Sequence, residues 1–282
     1  MTRTHLLIID PQIDFCDTNG ALYIKGAEED MIRLRDFIYE KYQKINKIFV
    51  TLDYHHKVDV AHPLFWWNKE GKNPKPFTII SSIDIKNNIW EPRNFFPNIK
   101  EKMLEYVCKL EEKGKLSLCI WPPHCLIGSI GQAVYPPLFS ALFHWETEDR
   151  QVRYIRKGEN IFTEHYSAFE AEVPDPADPG TELNKHLINE IWNADKVYVA
   201  GEAGSHCLKF TIENMVEYYE KNSKIIHNVE YVRRSKNPYP QKTILLEDTM
   251  SPVPGFENLQ NEFLKEMKSK RMEVLKTTDI KD

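Results

Sequence analysis

Leu6-Leu7-Ile8-Ile9-Asp10-Pro11-Gln12-Ile13-Asp14-Phe15 lies close to the N-terminus, and its first four residues decide the fold. A continuous apolar run of this kind suits a strand buried on both faces, as in a parallel sheet. Further short strands are predicted at Lys47–Leu52, Leu116–Trp121, Val152–Ile155, Lys196–Ala200 and Thr243–Leu246, with Met272–Leu275 as a last candidate. Between or after them helices are predicted at about Glu28–Lys44, Asn98–Lys113, Glu182–Trp192, Ser205–Lys221 and Glu257–Lys270. The first of these repeats Met31, Leu34, Ile38 and Tyr42 on one face. Strands alternating with helices predict an α/β fold of three layers (α-β-α), with a mostly parallel six-stranded sheet between the helices.

Ligands on such sheets bind beyond the carboxyl ends of the strands. Three strand ends carry chemistry there: Asp10-Pro-Gln12-Ile-Asp14, Asp53-Tyr-His55-His56, and Gly201-Glu-Ala-Gly-Ser-His-Cys207. In an extended segment Asp53 and His55 project to one side and His56 to the other. Residues 64–115 read differently: rich in Lys, Asn, Pro and Trp to residue 97, then helical. They are expected to form an insertion in a single domain spanning 1–282, with a lid as one reading.

The chain of 282 residues is 41% hydrophobic and 28% charged, enough for a substantial core under an ordinary surface. A net charge of −5 argues against a nucleic-acid footprint, and the Arg233-Arg234 pair reads as a solvated loop. No apolar run is long enough to span a membrane. Five cysteines, at 16, 108, 119, 125 and 207, form no CxxC pair and are expected to be reduced thiols in a cytoplasmic setting. Taken singly, each candidate has an ordinary alternative. Asp10 suits a turn before proline, Cys207 a buried inert thiol, Lys157 a surface lysine, and Trp121 a core aromatic. Asp14 stands evenly between a turn stabiliser and a support for the site.

Together, however, these segments resemble the isochorismatase-like cysteine hydrolases, and within them the nicotinamidases. The resemblance rests on Asp10-x-Gln12-x-Asp14-Phe15, on Asp53-x-His55 followed by His62, and on Trp121-Pro-Pro-His124-Cys125. It continues through Gly128-Ser-Ile-Gly131, Lys157-Gly158 and Tyr166-Ser167-Ala-Phe169 to the Cys207 segment at a helix start. All stand in the family's order, and the match covers most of the chain outside about 64–115 and the extreme C-terminus. Departures are Ser205, where the family often has Asp, Glu202, where an apolar residue is common, and the long insertion.

The resemblance implies an enzyme: a cysteine amidohydrolase, foremost a nicotinamidase of NAD salvage, forming nicotinate and ammonia through a Cys207 thioester. It casts Asp10 as proton carrier and Lys157 as electrostatic support. The backbone N–H groups of Ala203 and Cys207 become the oxyanion hole, with a cis peptide between Glu202 and Ala203. Phe15, Trp121 and Tyr166 become walls for a flat ring. Asp53, His55, His62 and His124 become ligands of one divalent ion, a donor set suited to Zn²⁺, Fe²⁺ or Mn²⁺. Such an ion orients the ring through its nitrogen. A related amidase for another small amide is the alternative, its pocket reshaped by the insertion. A catalytically silent binding protein is a third reading, but it has no chemical reason to keep Asp10, Lys157 and Cys207. Isochorismatase chemistry proper needs neither the cysteine nor the metal set. The expected partner is a small-molecule amide, with no nucleic acid or membrane; a homo-oligomer is left open.

Overall fold

The computed structural model describes residues 2–94, 96–114, 116–226 and 241–281; the Arg233-Arg234 pair lies outside them. In chain order the strands are β1 (Thr4–Ile9), β2 (Ile45–Asp53), β3 (Trp66–Trp67), β4 (Ile79–Ile80) and β5 (Glu91–Pro92). They continue as β6 (Leu118–Cys119), β7 (Arg153–Lys157), β8 (Lys196–Gly201), β9 (Thr243–Leu246) and β10 (Glu273–Leu275). The helices are α1 (Ile13–Cys16), α2 (Ala27–Lys41), α3 (Ser82–Lys86), α4 (Ile99–Lys113), α5 (Pro136–Trp145), α6 (Lys185–Trp192), α7 (Cys207–Ile226) and α8 (Glu257–Ser269).

Six strands form the central sheet in the order β10-β9-β8-β1-β2-β7, and every pairing is parallel. This is the expected α/β architecture, with Glu273–Leu275 supplying the sixth strand. The fully buried β1 takes an interior place, as its unbroken apolar run requires. From β1 the chain moves outward to β2 and β7, then returns to β8 on the opposite side. The order therefore reverses between β1 and β8, and parallel sheets open a crevice at such a point. Register sets the residues around it: Ile9 lies opposite Gly201, and Asp53 opposite Lys157. Gly201 has φ 111°, and a Cβ there would fall 2.1 Å from the Ile9 carbonyl oxygen, so only glycine lets β8 turn this close to β1.

Two expectations need correction. Leu116–Trp121 does not join the central sheet. Only Leu118–Cys119 is a strand, and it pairs antiparallel with Ile79–Ile80. The place beside β2 is filled by β7, and Pro122-Pro123 stop the segment after two paired residues. The helix Pro136–Trp145 is not among the predicted elements; Pro136-Pro137 at its start lack only N–H groups that need no intrahelical partner. The 64–115 segment is well packed. Phe65, Trp66, Ile80, Ile85, Met103 and Val107 belong to a second buried cluster, separate from the one around the sheet.

Candidate active site

Asp10 ends β1 in a left-handed turn, with φ 41°. Its side chain is fully buried. Thr51 on β2 holds it from both sides, its hydroxyl donating to Asp10 Oδ1 and accepting the Asp10 N–H at 3.0 Å. Two residues on, the Gln12 side chain closes a pair of bonds with the Asp53 backbone: Nε2 donates to the Asp53 carbonyl at 2.8 Å and Oε1 accepts the Asp53 N–H at 2.6 Å. Asp14 Oδ2 then accepts the Cys125 N–H at 2.7 Å, tying down the loop that bears His124. The Asp-x-Gln-x-Asp segment thus aims one acid and anchors two neighbouring segments.

Lys157 joins these pieces. Its ammonium is buried, 2.9 Å from Asp10 Oδ2, bonded to Asp53 Oδ1, and donating to the His165 carbonyl at 2.9 Å. It also lies 3.6 Å from Cys207 Sγ. Asp10, Asp53 and Cys207 offer oxygen and sulfur atoms within 4.8 Å of one another. Burial alone would lower the lysine, but Asp10 and Asp53 hold it well above its usual value. Burial raises Asp10, with Lys157 and Thr51 pulling the other way, so its carboxylate is a stronger proton acceptor than a free one. Burial also raises Cys207 well above an ordinary thiol, and Lys157 offsets only part of that. Burial at Cys207 thus opposes the thiolate that a helix N-terminus and a nearby cation favour. Cys207 is the first residue of α7. The Glu202–Ala203 peptide that precedes it is cis.

Against this group stands a second. Asp53 Oδ2 lies 3.5 Å from His55 Nε2 and 3.8 Å from His124 Nε2. Asp53, His55 and His124 place ligand atoms within 4.8 Å of one another. The His62 ring adds itself at 5.2 Å from that of His55 and 5.4 Å from that of His124. His56 is exposed, as its opposite projection implies. Each imidazole is fixed through Nδ1: His55 to Asp59 Oδ2 at 3.2 Å, His62 to the His56 carbonyl at 3.1 Å, and His124 to the Pro122 carbonyl at 2.8 Å. Carbonyl acceptors place the proton on Nδ1 of His62 and His124 and leave their Nε2 for an ion, the usual outer arrangement of histidine ligands, whereas His55, between Asp53 and Asp59, is raised well above its usual value and must release a proton to bind one. Among the described residues, His55 Nε2 and His62 Nε2 are buried without a hydrogen-bond partner. Burial holds His62 down at about 2, so it stays neutral as a ligand must. These residues fit a divalent ion. Gly158, at φ 84°, lets the chain pass beside His55; a Cβ there would come within 3.1 Å of its Cε1.

The two groups share a cleft lined among others by Phe15, Trp121, Tyr166, His124, Ala203 and Cys207. The Phe15 ring sits 5.3 Å from that of His124. Trp121 Nε1 donates to the Tyr166 hydroxyl at 3.0 Å, which sets those two rings edge to face. Every candidate named from the sequence therefore lies in one region of the molecule. Three further residues escaped that reading. Asp59 orients His55. Glu164 lines the cleft, with burial, then Asp59 and Asp53, raising it to about 7 against the pull of His55. His206 also lines it, its Nδ1 2.8 Å from Ser205 Oγ. An acid seven residues after Lys157 and a histidine beside the cysteine were the available signals. Replacing Asp59 by alanine should weaken Zn²⁺ binding about 10- to 100-fold, the usual cost of losing such an orienting acid. Titration against a coloured chelator reads this, and an unchanged affinity would remove the role from Asp59.

The parallel sheet with its crevice is a fold the chain shares with an isochorismatase-like hydrolase from Alkaliphilus metalliredigens, at a TM-score of 0.50 and 14% identity over 98% of this chain and 96% of the other. It is similar as well to nicotinamidases and pyrazinamidases. It is 22% identical to the nicotinamidase of Saccharomyces cerevisiae over 221 residues, covering 78% of this chain and 85% of that protein. The structure of the yeast nicotinamidase bound to the inhibitor nicotinaldehyde superposes with a TM-score of 0.61 at 17% identity, over 97% of this chain and 99% of the other. A Pyrococcus horikoshii pyrazinamidase in complex with zinc gives 0.53 at 18% identity, over 97% and 99%. No protein-family model matches the chain.

Proposed function

We propose that the protein is a metal-containing cysteine amidohydrolase that converts nicotinamide and water to nicotinate and ammonia. The observation that carries this is the buried Lys157, which bonds Asp10 and Asp53 and lies 3.6 Å from Cys207 Sγ, so that a thiol and a buried carboxyl adjoin a cluster of one carboxylate and three imidazoles. Support also comes from the nicotinamidase and pyrazinamidase likenesses.

In this reading Asp10 takes the Cys207 proton as Sγ attacks the carboxamide carbon. The resulting oxyanion faces the Ala203 and Cys207 backbone N–H groups. Collapse breaks the C–N bond, and Asp10 returns the proton to the departing ammonia. Water, giving its proton to Asp10, then attacks the thioester; nicotinate leaves and the thiol is restored. Lys157 keeps Asp10 in place and balances its charge. Asp53, His55, His62 and His124 would hold a Zn²⁺, Fe²⁺ or Mn²⁺ ion, which when bound supplies a Lewis-acid site for a ring nitrogen. Phe15, Trp121 and Tyr166 hold the ring flat. The free state of all five cysteines accords with a reducing, cytosolic compartment, and the product places the reaction in pyridine-nucleotide salvage. Among the described residues no helix is long and apolar enough to cross a membrane.

Benzamide, which has no ring nitrogen, tests the assignment. Its kcat/KM should fall at least about 100-fold below that of nicotinamide, since a site built for a polar atom rejects the analogue lacking it. Chelation should depress nicotinamide turnover and leave benzamide turnover nearly unchanged, and purified protein should contain about one divalent ion. Equal use of both amides would favour the broader reading, an amidase for another small amide. That reading has its own support: Phe77 of the insertion packs edge-on against Trp121 at 5.8 Å, so the insertion shapes the pocket wall.

A further inference from the structure

Glu202 is the buried acid of the active-site turn that the mechanism above leaves without a task. It is fully buried and directly precedes Ala203, whose N–H faces the oxyanion. Its Oε2 accepts the Ser251 N–H at 3.0 Å, while the Ser251 carbonyl accepts the Gly204 N–H at 2.9 Å. The turn is thus tied to one residue on both sides of Ala203. Ser251 is in turn anchored on α2, its hydroxyl donating to Asp30 Oδ2. Arg33 binds the other Asp30 oxygen and donates to the Asp248 carbonyl at 2.6 Å.

Among the described residues Glu202 Oε1 finds no N–H or O–H donor; the Asp30 carboxyl, held by the hydroxyl of the same Ser251, is the charged group that acts on it most strongly. Two carboxyls can hydrogen-bond only when one carries a proton. The charged and titratable groups facing Glu202 are Asp30 and Arg33 of α2 and Cys16 of α1. Burial, and then the Asp30 charge, push Glu202 well above the ordinary carboxyl range, with the Ser251 N–H and Arg33 opposing.

We propose that Glu202 is a positioning residue for amide hydrolysis: with Asp30, sharing one proton, it holds through Ser251 the turn that presents the Ala203 N–H. The inference rests on the amidase reading above. When the shared proton is lost, two buried anions repel, the turn loosens, and stabilisation of the oxyanion weakens while substrate binding is largely kept.

Two substitutions separate this role from mere packing. Glu202→Gln keeps both bonds, accepting from Ser251 and donating to Asp30, but has no proton to lose. Glu202→Leu keeps the volume and loses both. Glu202→Leu should lower kcat on nicotinamide about tenfold or more, with KM changed less than about threefold. Glu202→Gln should restore kcat to within about threefold and lack the decline that the wild type shows toward alkaline pH.

Thermal melts give a readout independent of turnover. A carboxyl raised on folding keeps a proton that the unfolded chain has lost. Wild-type stability should therefore fall as pH rises above the ordinary carboxyl value of 4.5, and the fall should be smaller in Glu202→Gln, where Asp10 and Glu164 are the raised carboxyls that still contribute. A Glu202→Leu enzyme with wild-type kcat, a Glu202→Gln enzyme as impaired as Glu202→Leu, or parallel melting curves for wild type and Glu202→Gln would each overturn the proposal. A wild type that hydrolyses no amide overturns the amidase reading and this role with it. An active wild type matched by Glu202→Leu overturns the role alone.

Discussion

Cys207→Ala is expected to remove nicotinamide hydrolysis, lowering turnover by about four orders of magnitude or more, as loss of a covalent nucleophile does. Stability should change by only about 1 kcal/mol, because a single buried sulfur is removed from a site that keeps its backbone. A coupled ammonia assay and a melting curve on the same preparation check both. Residual turnover above about a tenth of wild type would remove Cys207 as nucleophile. General alkylation is a poorer guide. Cys207 is 7% exposed and its thiol is raised by burial, while Cys108 on α4 is more open to solvent.

Lys157→Ala should do two kinds of damage at once. The ammonium is the buried counter-charge of both Asp10 and Asp53. Removing one partner of a buried ion pair leaves uncompensated charge and costs about 3–5 kcal/mol. The denaturation midpoint should drop accordingly, and turnover should fall about 100-fold or more in the fraction that stays folded. Asp10→Asn should lower turnover by about the same factor, and the double variant should lose far less than the product of the two, since the groups work as one unit. A Lys157→Ala enzyme with near-normal turnover would leave the lysine a purely structural role.

The elements read most clearly from the sequence are those whose signal is local. Leu6–Ile9 announces a doubly covered strand, and Met31, Leu34 and Ile38 announce the buried face of α2. Lys157 is the opposite case. It ends a strand whose other residues are largely exposed, and nothing within ten residues suggests a buried ammonium. Its carboxylate partners, Asp10 and Asp53, come from strand ends more than 100 residues away in the chain, so only the ordered motifs could point to it. Leu116–Trp121 looked like a sheet strand because β-type residues say nothing about which edge is vacant. Asp59 and Glu164 are single acids in irregular segments, where charge alone reads as solvated surface, and their roles exist only once the histidines are in place.

Asp53 presents its two carboxylate oxygens to different clients: Oδ1 to the lysine that serves the cysteine, and Oδ2 toward His55 and His124. In the proposed mechanism one unit of negative charge is thereby divided between the half of the site that breaks bonds and the half that selects the ring. Whatever draws density to one oxygen withdraws it from the other, and thermodynamic reciprocity requires the influence to run equally in both directions. The binding of an ion at Oδ2 and of a proton on the Lys157 side are therefore linked equilibria, each shifting the other's binding free energy by the same amount.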